Sequence, residues 1–212
     1  EFDPHYGAIK LKEQFSYWPD LSARHGALLQ SAAGALLAYL AMTQRQSLPH
    51  LTHFMLADRQ NLLQLDATTQ HHLELFANHE GKNTHTLFQL LDTTSTAMGA
   101  RRLKHWIAHP TRHSATLQGR FNAIEILLAQ LFESQQFSSY CAPLKGLYDI
   151  ERINTRIALG SAKPRCLGQL RDTLALLPVL QLPQAAGASA LLQALFSRLT
   201  PPSALVTQLQ QA

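Results

Sequence analysis

The stretch LYDIERINTRIALGSAKPRCLGQLRDTLALL runs from Leu147 to Leu177. Leu147, Ile150, Ile153 and Ile157 recur at spacings of three and four, and beyond Pro164 so do Leu167, Leu170, Leu174 and Leu177. Such spacing places apolar side chains on one face of a helix, so the stretch predicts two amphipathic helices that each bury one stripe. The same period extends outward in both directions. Leu29, Ala33, Leu36 and Leu40 make a stripe upstream, with small Ala and Gly residues around it that allow close helix packing. Leu117, Phe121, Ile124, Leu128 and Leu131 make another, and Leu191 or Leu192 with Leu195 and Leu199 a further one.

Prolines punctuate these segments at Pro49, Pro110, Pro143, Pro164, Pro178, Pro183, Pro201 and Pro202. Proline lacks an amide donor and crowds the preceding turn, so it marks helix boundaries. Between Leu51 and Leu65 the period changes: Phe54, Met55 and Leu56, then Leu62, Leu63 and Leu65, flank a polar Ala57-to-Asn61 turn. That arrangement reads as a short two-stranded hairpin. The expected fold class is therefore mainly α, a multi-helix core with one short β-hairpin near residues 51–65. Leu180 to Ser189, rich in Pro, Ala, Gln and Gly, reads as a loop. Ser203 reads as the cap of a new helix with Leu205, Val206 and Leu209 as its first apolar positions. The uneven spacing of the stripes does not suit a solenoid.

Hydrophobic residues make up 46% and charged residues 15% of the 212 positions, which excludes a disordered chain and predicts a globular one. The chain opens on Glu1 and Phe2 and is expected to be a segment of something larger. Gly26 to Met42, the most apolar stretch, is interrupted by Gln30 and Ser31 and falls short of the roughly 20 residues of a membrane span, so it reads as a buried helix of a soluble protein. Cys141 and Cys166 form no CxxC pair and suit a reduced, cytoplasmic setting. A formal charge of +4, with cations grouped as Arg101, Arg102 and Lys104, as Arg152 and Arg156, and as Lys163 and Arg165, permits contact with nucleic acid without demanding it.

Among the 11 histidines, His105, His109 and His113 have ligand-compatible spacing, but Pro110 interrupts their helix and no companion ligand stands nearby. Adjacent His71 and His72 point in different directions on a helix. Asp149 and Glu151 precede Arg152 and Arg156 at spacings that suit helix ion pairs rather than an acid/base pair. Neither a GxSxG serine, a GxxxxGK[ST] phosphate loop nor a GxGxxG turn occurs. No catalytic, cofactor-binding or metal-binding residue is assigned. A helical adaptor and a free-standing DNA-binding module both remain compatible with the stripes, the latter with Arg101, Arg102 and Lys104 as its nearest groove-facing set.

One block is more specific. Thr94 to Trp106, TSTAMGARRLKHW followed by IAHP, resembles the core motif of bacterial DNA mismatch-repair proteins of the MutS family. Its residues also make sense locally: Ser95 or Thr96 can cap a helix, Gly99 permits a close approach, and Leu103 with Trp106 or Ile107 can pack inward. LDATTQHHLEL at 65–75, YDIER at 148–152 with Arg156, Ala158 and Leu159, and AKPRCLGQL at 162–170 are similar to family blocks in the same order. The run from Ala32 to Pro49 is similar to the helix that joins connector to core. His72 stands where the family usually has Asn, Ala97 where it has Pro, and Cys166 where Asp is common.

The resemblance implies a core segment that links other parts of a mismatch-recognition protein, with residues 1–47 the end of the connector and linking helix, 48–200 the core, and 201–212 the start of a lever helix. The parent would be a dimeric, cytoplasmic clamp that binds mismatched double-stranded DNA, uses ATP and magnesium, and recruits a downstream repair factor, with no membrane partner. The family's PhexGlu wedge and its phosphate loop are absent from this chain, so the segment itself is expected not to be an enzyme and to need no cofactor.

Overall fold

The computed structural model describes residues 2–15, 26–44, 51–54, 61–133, 137–181 and 189–211. They form helices α1 (Pro4–Gln14), α2 (Gly26–Gln44), α3 (Ala67–His72), α4 (Leu87–Leu91), α5 (Ala97–Ala108), α6 (Ser114–Glu133), α7 (Phe137–Cys141), α8 (Ile150–Ala158), α9 (Pro164–Leu176), α10 (Ala190–Phe196) and α11 (Ser203–Gln211). Short 3-10 turns cover Pro143–Gly146, Leu177–Leu180 and Ser197–Leu199. The chain divides into two compact units, Glu1–Asp58 and Arg59–Ala212.

Polar side chains start the helices by accepting from otherwise orphaned amides. Asp3 caps α1, Asp66 caps α3, Thr86 caps α4, Thr96 caps α5, Asp149 caps α8 and Ser189 caps α10. Pro4 and Pro164 occupy first turns, where a missing N–H costs nothing.

In the first unit α1 and α2 cross at two glycines. A Cβ at Gly34 would lie 2.4 Å from Gly7 Cα, and one at Gly7 would lie 2.0 Å from the Gln30 carbonyl oxygen. Leu11, Phe15 and Leu37 form the core beside this crossing, with Ala33, Leu51 and Phe54 packed on it. The expectation of close packing on small residues holds, but the buried stripe of α2 is Ser31, Gly34 and Leu37. Leu29 and Leu36, expected inside, are exposed together with Leu28, Tyr39 and Met42. The helix is thus not a buried one: residues 26–43 are long and apolar enough to cross a bilayer by length and composition alone, and only 17% of them are buried.

The second unit is centred on the quoted stretch. Ile153 of α8 packs with Cys166, Leu170 and Leu174 of α9, and Ile150, Ala162, Leu177, Val206 and Leu209 close over them. Each Leu or Ile removed from water here contributes about 1.5–3 kcal/mol before entropy is subtracted. A satellite cluster joins Ala123, Ile126 and Leu127 of α6 to Leu192 and Phe196 of α10. Leu131 is buried as expected, but Phe121, Ile124 and Leu128, read from the sequence as a core stripe, are exposed. The face turned to α10 is instead the one that carries Ala123, Ile126 and Leu127.

The β-hairpin near residues 51–65 is not formed. No strand occurs among the described residues; residues 55–60, which hold most of the supposed turn, lie outside them, as do residues 182–188 of the expected loop. Leu51 and Phe54 belong to the core of the first unit, where Gln14 Nε2 donates to the Leu51 carbonyl at 3.0 Å and the Phe15 and Phe54 rings lie 5.8 Å apart. Leu62 makes one isolated antiparallel bridge, and to Thr111. Leu63 N donates to the Pro110 carbonyl and Arg112 N to that of Asn61, both at 2.7 Å. Leucine has no strong preference for a pleated strand, so tertiary partners draw the two runs to different places.

Candidate functional site

α5 begins at Thr96, whose Oγ1 accepts from Gly99 N at 3.0 Å. Gly99 is the residue that permits this turn to close: a Cβ there would stand 3.0 Å from Thr96 Oγ1 and 3.3 Å from Thr94 Cβ. From this anchored start, Arg101 projects toward the beginning of α8. Arg101 Nη1 donates to Asp149 Oδ2 at 2.7 Å and Nη2 to Asp149 Oδ1 at 2.8 Å, a bidentate pair. Nη2 and Nε also reach Glu151 Oε2, at 2.6 and 3.1 Å. A planar guanidinium holding two oxygens fixes orientation as well as distance.

Three features hold the acidic side of this junction. Asp149 caps α8 by accepting from Arg152 N at 3.2 Å, so the same carboxylate serves the helix start and Arg101. Thr173 of α9, fully buried, accepts from Tyr148 N at 3.1 Å and donates to the Gln169 carbonyl at 2.8 Å. Gly146 lets the preceding turn come down onto Leu176, whose Cδ1 would be 3.0 Å from an added Cβ. Electrostatics follow the geometry: the Arg101 guanidinium first, and the backbone at Arg152 next, hold the Asp149 carboxyl below its ordinary value. The carboxylates of Asp149 and Glu151 raise Arg101 in turn, so the pair stays charged.

The sequence suggested Arg152 and Arg156 as the partners of these acids. Arg152 Nε does lie 3.5 Å from Asp149 Oδ2, but Arg156 turns instead to Cys166, 3.7 Å from Nη1 to Sγ. The Cys166 thiol, buried at the start of α9, is lowered by hydrogen bonding with the Lys163 backbone first and by Arg156 next. Arg101 was the missed partner, and its own run gives the signal in part: three cations on one helix start need somewhere to go. They do not form one groove-facing set. Arg101 is paired as described, Lys104 Nζ sits 5.2 Å from the Phe76 ring centroid, and the Arg102 guanidinium lies 6.0 Å from that of Trp106.

Trp106 lies on the wall of an open groove of about 760 Å³ between α5, α6 and α10. Arg120 of α6 reaches the indole at 4.2 Å. His105 and His109 stack beside it with centroids 4.8 Å apart, and His113 Nδ1 lies 2.9 Å from Thr116 Oγ1 instead of joining them. Helix α5 ends at Ala108, with His109 as its C-cap, which is what Pro110 requires. His71 and His72 stand 6.2 Å apart, and His71 meets His79 edge-on at 5.8 Å. Among the described residues no group of three His, Cys, Asp or Glu side chains could hold a metal.

The junction and the groove thus organise helices without presenting a reacting group. The chain aligns with MutS domain III over residues 68–211, a span that contains both sides of the Arg101 junction. Domain III is not the ATPase domain of that family, and it forms part of the internal core of a mismatch-repair protein. A match over most of the length, with the 94–106 and 148–152 blocks joined in space by Arg101, places the chain in the MutS family.

Proposed function

We propose that this chain is the core segment through which a mismatch-recognition protein couples its mismatch-binding, clamp and ATPase parts. In this reading residues 1–47 end the connector and supply the linking helix, 48–200 are the core, and 201–212 begin the lever helix. The parent acts as a cytoplasmic dimer on mismatched double-stranded DNA and passes the signal to a downstream repair factor. ATP and magnesium act elsewhere in the parent: the sequence has no phosphate loop, and among the described residues no carboxylate lines the groove to face a cation.

The observation that carries the reading is the bidentate Arg101–Asp149 pair. It ties α5 to α8 across 48 positions of sequence. α8 in turn packs on α9, and α9 carries α11, whose Val206 and Leu209 pack against the shared cluster. Coupling between distant sites needs elements that move together, and it must be reciprocal between DNA and nucleotide. An ion pair between helix starts, backed by a packed core, supplies such a body. Intermediate position alone would not.

The test replaces Arg101 by Met in the parent protein, which removes both ion pairs and keeps a good helix former. Heteroduplex binding and fold should persist, while nucleotide-driven release from the mismatch should slow several-fold. Unchanged release with an intact fold would refute the role of this junction, and Ile153→Ala would then report only core stability.

A further inference from the structure

The groove against Trp106 carries cationic charge that no carboxylate balances among the described residues. Arg102 and Arg120 both lie against the indole, and neither has a carboxylate within 4.0 Å among the described residues. Arg101, one residue away from Arg102, is by contrast held by two. Among the described residues no Asp or Glu lines the groove. Leu191 and Leu195 of α10 form an apolar wall, and both are exposed at 36% and 49%. Trp106 itself is 42% exposed, a large aromatic surface left in water beside two guanidinium groups.

We propose that this groove docks a peptide segment of a partner protein that is acidic and carries apolar anchors. The chemistry of the two walls selects this occupant. Carboxylates would pair with Arg102 and Arg120 at the α5 and α6 side, while Leu or Phe side chains would cover Leu191, Leu195 and the free part of the indole. Trp and Arg in a concave apolar setting are the residues on which binding energy concentrates, and complementary charge sets partner choice. A volume of about 760 Å³ holds several side chains, far more than a single anion needs. Nucleic acid fits less well: the leucine wall offers a phosphate nothing, and a base stacking on the indole would have to displace Arg120 from its place at 4.2 Å.

Gly119 makes the proposal testable. It lines the groove from α6, and a Cβ built there meets nothing within 4 Å. Gly119→Leu therefore adds bulk to the groove wall from a Cβ that has open space, in a helix interior where leucine is the better residue. Trp106 is the natural reporter once Trp18, the other of the two tryptophans, is replaced by Phe. The 212-residue chain would be titrated with an acidic peptide about a dozen residues long that alternates Asp or Glu with Leu and Phe. The same peptide with Asn and Gln, a single-stranded oligonucleotide and inorganic phosphate serve as comparisons.

The acidic peptide should change Trp106 fluorescence saturably, and more weakly as salt rises. Gly119→Leu and Arg102→Glu should each weaken it roughly tenfold without lowering the melting temperature. Lys82→Glu, an equal charge change at an exposed site paired with Glu80, should not. Failure of the peptide to bind, equal loss with Lys82→Glu, or equal binding of the uncharged peptide would overturn the proposal. Tighter, Gly119→Leu-sensitive binding of the oligonucleotide, or a response to phosphate alone, would overturn it too.

Discussion

Replacing Gly34 by alanine sets two effects of opposite sign against each other. In a helix interior alanine is favoured over glycine by about 1 kcal/mol, because glycine loses more backbone freedom. At this position, however, the new Cβ lies 2.4 Å from Gly7 Cα and 3.1 Å from Gly7 N. Ordinary contact begins at 3.4 Å, so α1 must move by at least 1.0 Å, the difference between 3.4 and 2.4. Backbone on the far side has no rotamer to change. The displacement also loosens Leu11, Phe15 and Leu37, which fill the same crossing, and a gap of about this size forfeits a quarter to a half of each contact's attraction. Overpacking costs about 1–3 kcal/mol; with backbone on both sides the upper part of that range applies, and a net loss of about 1–2 kcal/mol remains after the propensity gain. Amide hydrogen exchange along α1 reads this directly, with exchange rising roughly five- to thirtyfold. Gly168→Ala in α9 is the control, since a Cβ there meets nothing within 4 Å and only the propensity gain remains. If Gly34→Ala left α1 exchange unchanged or slower, the close crossing would not exist as described.

Three further outcomes follow from the second unit. Ile153→Ala, at 3% exposure in the centre of the α8–α9 core, should lower unfolding free energy by about 2–4 kcal/mol in urea titration; a loss below about 1 kcal/mol would show that the site is not packed. Thr96→Ala removes the acceptor for Gly99 N and should cost about 1 kcal/mol, whereas Thr96→Ser should cost little. Asp149 has a folded-state pKa below its ordinary 3.8, so its contribution is full above that value and is lost as pH falls through the lower folded value. The acid limb of a stability-against-pH curve should therefore flatten in Asp149→Asn and in Arg101→Met, and an unchanged limb in both would count against the pair.

Much of the second unit was legible because its helices carry one dominant stripe. Ile150, Ile153, Leu170, Leu174 and Leu177 are packed as their spacing predicted and Thr96 caps α5, while Ile157, Leu167 and Leu195 of the expected stripes are exposed. α2 and α6 were misread for a physical reason. Both carry apolar residues on more than one side, so periodicity offers several faces and packing chooses among them. In α2 the choice falls on Gly34 because only glycine admits α1, and in α6 the buried face is the one with Ala123 against Leu192 of α10. Size decided the α2 face, and a count of hydrophobic residues does not contain size. The hairpin failed for a related reason: the 51–54 and 62–65 runs have the spacing of a hairpin but hold a single β-branched residue, Thr52, among mostly leucines, and each run finds a partner elsewhere.

The basic run of α5 shows where sequence reading of a site reaches its end. Arg101, Arg102 and Lys104 look alike as a charge cluster, yet one is an ion-pair hub, one lies on an indole and one on a phenyl ring. Their fates diverge because a helix turns about 100° per residue and each direction meets a different element: Asp149 and Glu151 lie 48 and 50 positions away, Trp106 four, Phe76 on the far side of α4. Apart from Trp106, an i,i+4 neighbour of Arg102, such partners are set by tertiary packing, and no local spacing rule could have found them. The same divergence separates the two roles assigned to this helix. Arg101→Met breaks the α5–α8 tie and leaves the Trp106 groove in place, while Arg102→Glu alters the groove and leaves the tie. Coupling lost in the first alone and peptide binding lost in the second alone would establish that adjacent residues serve separate tasks; if each variant lost both, α5 would act as one indivisible element.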